Sequence, residues 1–78
     1  MEKYKIIKTQ EEFRPCNELW EEIETNDIEQ SMNDFAKDLN ETATYDIDNM
    51  TVSDKWGNEF KFIKVVELCF YTESKKNG

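Results

Sequence analysis

The densest apolar run, Phe60 to Tyr71, alternates as a strand does. Phe60, Phe62, Val66, Leu68 and Phe70 share one phase, interrupted by Lys64, while Ile63, Val65, Cys69 and Tyr71 share the other. Aromatic and β-branched residues at this density predict a strand apolar on both faces. Such a strand belongs in the middle of a sheet or turns its second face to a partner. Just before it, Trp56-Gly57-Asn58-Glu59 predicts a hairpin turn with Gly57 at positive φ. Upstream, residues 42–55 are rich in Thr, Tyr, Ile and Val. Tyr45 and Ile47 fall in one phase and Met50 and Val52 in the other, which predicts a bulge near Asp48-Asn49. A two-residue loop would pair Val52 with Ile63 and Met50 with Val65. A three-residue loop would set Met50 and Val52 against the Phe62 and Val66 face, and the pattern admits both. Phe62, Val65, Val66, Cys69 and Phe70 also fit a helical spacing, but β-branched content and the Gly-Asn turn favour the strand.

In the first half the period changes. Tyr4 to Lys8 reads as a short strand with Tyr4 and Ile6 on one face. Thr9-Gln10-Glu11-Glu12 has capping-box spacing, and Pro15 suits the first position of a helix. Phe13, Cys16, Leu19, Trp20 and Ile23 lie on one side of a helical wheel and predict a helix to about Glu24. Ile28, Met32, Phe35, Ala36 and Leu39 form a second stripe, centred about 130° from the first at ~100° per residue. A straight helix would expose one of the two. The expected break is Thr25-Asn26-Asp27, with Asn26 as the cap. The expectation is therefore one small domain over 1–78 with the order β-α-α-β-β. It is an α+β two-layer fold, a three-stranded mainly antiparallel sheet with two helices on one face and a frayed polar tail at 73–78.

Composition leaves this outline unchanged, and charge adds to it. A hydrophobic fraction of 37% over 78 residues supports one core without metal or disulfide staples. Cys16 and Cys69 fit no zinc spacing and read as reduced, buried thiols. No run nears the roughly 18 apolar residues of a membrane span, and the N-terminus lacks a signal core, so the expected location is cytoplasmic. The net charge of −8 argues against direct contact with nucleic acid or an anionic membrane. That charge is also uneven. Residues 11–48 hold thirteen carboxylates against only Arg14 and Lys37, a net of −11, and the rest of the chain nets +3.

The chain has no histidine, which removes the usual general base and the commonest metal ligand. Its serines sit in no nucleophile motif, and its two glycines form no phosphate loop. Asp46-Ile47-Asp48-Asn49 opens like a calcium loop but has Thr51 and Gly57 where glycine and glutamate are required. Asp48 or Asp54 followed by Glu59-Phe60-Lys61 has the residue types of a metal-dependent nuclease. That spacing is common by chance, and acidic neighbours would repel DNA. No catalytic residue, metal or cofactor is expected.

Charge therefore carries the functional expectation. On the second predicted helix Asp27, Asp34, Asp38 and Glu41 fall within roughly 60° of one another along about 21 Å. On the first, Glu18, Glu21 and Glu22 point away from the core. Helices packed side by side would carry about one negative charge per 2 Å, near the density of duplex DNA. Such a face fits the basic groove of another protein. The expected function is a small acidic inhibitor that masks the nucleic-acid-binding surface of a protein partner. Phage anti-defence proteins, antitoxins and nuclease immunity proteins share this size and charge, though no motif links them to the chain. The alternative is a homodimeric adaptor that uses the second face of the C-terminal hairpin, with Trp56, Val65 and Tyr71 as contacts.

Overall fold

Two consecutive left-handed residues, Glu12 (φ 51°) and Phe13 (φ 66°), set the first half of the molecule. They form a two-residue hairpin turn of the kind whose twist matches that of paired strands. The computed structural model describes residues 1–66, and in it β1 (Glu2–Glu11) turns at this point into β2 (Arg14–Thr25). The first predicted helix is therefore a strand. Glu11 pairs with Arg14 at the turn, and the ladder continues to Glu2 opposite Thr25. Thr9 is a bulge residue in β1 and not a helix cap, and its hydroxyl donates to the Glu59 carbonyl at 3.2 Å.

A bulge explains the misleading period. Tyr4 and Ile23 pair on one face, and Ile7 and Leu19 pair on the other, with an extra residue inserted between Glu21 and Leu19. That residue is Trp20, whose ring meets Phe60 edge-on at 5.2 Å, on the same face as Ile23. In a regular strand residues three apart point to opposite faces. The bulge turns a spacing of three, which reads as helix, into two side chains on one side of a sheet.

The remaining elements are α1 (Ile28–Leu39), β3 (Thr44–Asp46), β4 (Thr51–Ser53) and β5 (Glu59–Val65). Among the described residues all five strands join one antiparallel sheet in the order β2-β1-β5-β4-β3 with a single helix, so the fold is α+β, but not three strands with two helices. The last strand is central, as its apolar density requires. Its predicted continuation through Leu68, Cys69, Phe70 and Tyr71, and the tail at 73–78, lie outside the described residues. The phase slip at 47–50 is a full turn between β3 and β4, closed with Met50 at φ 56°, where a bulge was expected. Neither short loop forms at Gly57: Ser53 pairs with Glu59 and Val52 with Phe60, which leaves Asp54 to Asn58 as the connection.

The second predicted helix is present, capped by Asp27 and not Asn26, with the Asp27 carboxylate accepting from the Gln30 amide at 3.1 Å. Its stripe meets the sheet as expected. Met32 and Ala36 are buried with Ile6, Val52, Phe60 and Phe62, and Ile28, Phe35 and Leu39 pack around them. Hydrogen bonds fix α1 on the β3–β4 side: Tyr45 donates to Glu29 at 2.9 Å, and Asn40 at the C-cap donates to Asp54 at 2.8 Å.

Asp54 organises the turn beneath the helix. It also accepts from the Trp56 amide at 2.9 Å and from the backbone and side chain of Asn58, each at 3.1 Å. Partial burial pushes its carboxyl up, but the hydrogen bonds from Asn40, Asn58 and Trp56 outweigh burial and hold its pKa below the usual aspartate value. A depressed folded pKa means stability that is present above the unfolded value and is lost as pH falls through the folded one. Urea midpoints of the wild type and Asp54→Asn should therefore differ most near neutral pH and converge in acid. Parallel curves down to about pH 2 would show that the turn draws nothing from the charge.

Candidate functional site

One helix does not cover this sheet. Five strands spaced about 4.8 Å apart put the outer strand axes about 19 Å from one another, whereas a helix with its side chains is about 10 Å wide. Because α1 is tied to the β3–β4 side, the described residues leave the α1-side face of β2 partly uncovered, with Trp20 46% exposed, while that of β1 is buried at Tyr4 and Ile6. The result is a groove of about 500 Å³ between α1 and β2. Ile6, Phe62, Trp20 and Ile23 floor it from the sheet, and Phe35 and Leu39 wall it from the helix. Glu21 lines it from β2, with Asp34 and Asp38 on α1 and Ser31 at one end; Glu24 borders it too, but is paired with Lys3 on the face turned away from α1. The Ser31 hydroxyl donates to Thr25 at 2.8 Å, closing that end between helix and strand.

Trp20 and the carboxylates of Glu21, Asp34 and Asp38 decide the groove's character. Trp20 is 46% exposed, so the core role expected of it is filled on one edge only, against Phe60. Lys8 lies 5.1 Å from the centroid of the Trp20 ring, within cation–π distance. Asp34 accepts from Gln30 at 3.0 Å. Among the described residues no lysine or arginine forms an ion pair with Glu21, Glu24, Asp34 or Asp38; the three pairs present are Lys8–Glu11, Arg14–Glu12 and Lys64–Glu2. Unneutralised carboxylates around an apolar floor attract a ligand that is both cationic and greasy.

Of the seven acids singled out by sequence, three meet here: Glu21, Asp34 and Asp38. The other four lie elsewhere. Glu18 pairs with Lys8 further along β2, and Glu22 pairs with Lys5 on the face turned away from α1. Asp27 is spent on the helix cap, beside a shallow depression with Glu29 and Tyr45, and Glu41 is in the turn after α1. The two-helix acidic field is replaced by a helix–strand pair. Trp20, expected to be buried on the stripe of a helix, reaches the groove because β2 is the sheet's edge. No known family model, curated protein or solved structure matches the chain.

The second expected interface is partly described. Trp56 is 57% exposed at the turn, with Lys55 over its ring at 4.8 Å. Val65 is half-buried on the face opposite α1, where Ile63 and Leu19 are 46% and 54% exposed. Tyr71 lies outside the described residues. For metal chemistry, the described residues bring no three Cys, Asp or Glu side chains together. Asp46 of the rejected calcium loop instead accepts from the Asp48 and Asn49 amides and the Asn49 side chain, which hold its pKa below the usual range. No helix among the described residues is long and apolar enough to cross a membrane.

Proposed function

We propose that this protein is a non-enzymatic binding protein that captures a basic segment of a protein partner in the groove between α1 and β2. By doing so it masks a surface the partner would otherwise offer to nucleic acid. The observation that carries the reading is the pairing of the half-exposed Trp20 with acids on both banks, Glu21 opposite Asp34 and Asp38, which no base among the described residues neutralises. Charge of one sign on both sides of a cleft focuses the field, so association is fast and weakens steeply with salt. A second reading, a homodimeric adaptor, draws on the exposed Leu19 and Ile63 of the opposite face.

One comparison separates charge at the groove from charge in general. The immobilised wild type should retain basic proteins from a native-host lysate at low salt and release them to rising salt or to competing nucleic acid. The variant Glu21→Gln/Asp34→Asn/Asp38→Asn should retain none of them. A control with the same loss of charge elsewhere, Glu18→Gln/Glu22→Gln/Glu41→Gln, should behave as the wild type. Equal loss in both variants overturns the groove as the site. Retention that ignores salt and disappears in Ile63→Glu instead favours the adaptor.

A further inference from the structure

The described chain ends beside the groove. Val66, its last residue, lines a second depression of about 440 Å³ with Val65, Lys64, Lys3 and Glu24. Glu24 borders the groove as well, so the two hollows meet at the end of β2. Residues 67–78 continue from this point and lie outside the described residues. In sequence they run from an apolar stretch, Leu68-Cys69-Phe70-Tyr71, to the pair Lys75-Lys76. That order supplies what the described residues do not give the groove. It brings an apolar partner for the half-exposed Trp20, then counter-charge for Glu21, Asp34 and Asp38.

Reach permits the match. The strand that leads into Val66, β5, lies two strands from β2, about 10 Å at ordinary spacing. Trp20 is four residues along β2 from Glu24, about 13 Å. Lys75 is nine residues beyond Val66, a span of up to about 30 Å. A tethered segment also needs little intrinsic affinity, because its effective concentration at a site within reach is on the order of millimolar.

We infer that residues 67–78 are the groove's own occupant, with Phe70 and Tyr71 set against Trp20 and with Lys75 and Lys76 among Glu21, Asp34 and Asp38. This rests on the groove reading and adds its regulation: a basic partner binds by displacing the chain's own C-terminal segment.

Decalysine titrated calorimetrically into the full chain at low salt tests the inference. Lys75→Gln/Lys76→Gln is expected to bind it about fivefold more tightly than the wild type, the factor for a groove filled about four-fifths of the time. Lys5→Gln/Lys61→Gln makes the same change of net charge at exposed positions on the face turned away from α1. Its affinity should stay near the wild-type value. Equal gains in both variants, or none in either, overturn the C-terminal occupant. The groove reading then still stands if Glu21→Gln/Asp34→Asn/Asp38→Asn weakens binding. A gain confined to high protein concentration assigns the segment to the groove of a second copy and overturns the intramolecular contact. Decalysine bound no better by the wild type and Lys75→Gln/Lys76→Gln than by the triple variant overturns both.

Discussion

Gly57→Ala is expected to destabilise the fold by about 2–4 kcal/mol, a large share of the roughly 4–12 kcal/mol typical of a chain this size. Two effects add. Gly57 sits at φ 82°, where an L side chain is strained by about 1 kcal/mol or more. A Cβ there would also lie 2.4 Å from the Phe13 backbone nitrogen and 2.5 Å from the first ring carbon of Phe13. The ring can move but the backbone cannot, because the Phe13 amide donates to the Gly57 carbonyl at 2.9 Å and the Glu12 amide donates to Asn58 at 3.3 Å. Position 57 is thus where the β1–β2 turn docks on the turn before β5. Urea unfolding followed by far-ultraviolet circular dichroism measures the loss. Phe13→Gly should recover part of it by removing the ring and relieving a left-handed residue. A Gly57→Ala midpoint shift equivalent to under about 0.5 kcal/mol would mean that the two turns do not depend on each other.

The docking of these turns also shows where reading the chain by pattern stops. The stripe Ile28, Met32, Phe35, Ala36 and Leu39 is a helix, and Phe60 with Phe62 is a buried central strand. Both are amphipathic or apolar over their whole length, so a single period describes them. Residues 14–25 are different. Their phase changes at Trp20, and a strand with one bulge places Trp20 and Ile23 on one side just as a helix would. What decides between them is a partner strand and a turn. The turn uses Glu12 and Phe13, residue types that do not announce positive φ as Asn-Gly does. An isolated 12-residue helix is marginal, while the same residues paired to β1 satisfy their backbone along nine pairs with a strand already held by the central β5.

The groove follows from that same change. Carboxylates at 21, 34 and 38 are visible in the chain, but their meeting is a property of topology. β2 had to become an edge strand, next to β1 and away from β4, before Glu21 could face Asp34 across the groove. Among the described residues, one helix on five strands then leaves Trp20 on the edge strand half exposed. Two helices on three strands, the expectation from pattern alone, would have had no such groove.

Phe60→Ala is the second large effect expected, a loss of about 3–5 kcal/mol. Phe60 is 1% exposed and stands where sheet, helix and groove meet. Its ring takes Phe35 of α1 edge-on at 5.1 Å and Trp20 of β2 at 5.2 Å, and Lys8 lies 5.7 Å from its centroid. Truncation leaves a cavity that Val52 and Ile6, on neighbouring strands of a hydrogen-bonded ladder, are poorly placed to fill. Phe60→Leu keeps most of the volume and should cost about 1–2 kcal/mol, yet it removes the aromatic edge that orients Trp20. The two substitutions therefore separate stability from the site. Phe60→Ala should unfold at a much lower urea concentration than the wild type. Phe60→Leu should remain folded, lose near-ultraviolet dichroism from Trp20, and bind a basic partner about tenfold more weakly, since a freed indole must be ordered on binding. A folded Phe60→Leu with undiminished affinity would separate the groove from the core beneath it, and Trp20 would then hold its place through the β2 bulge alone.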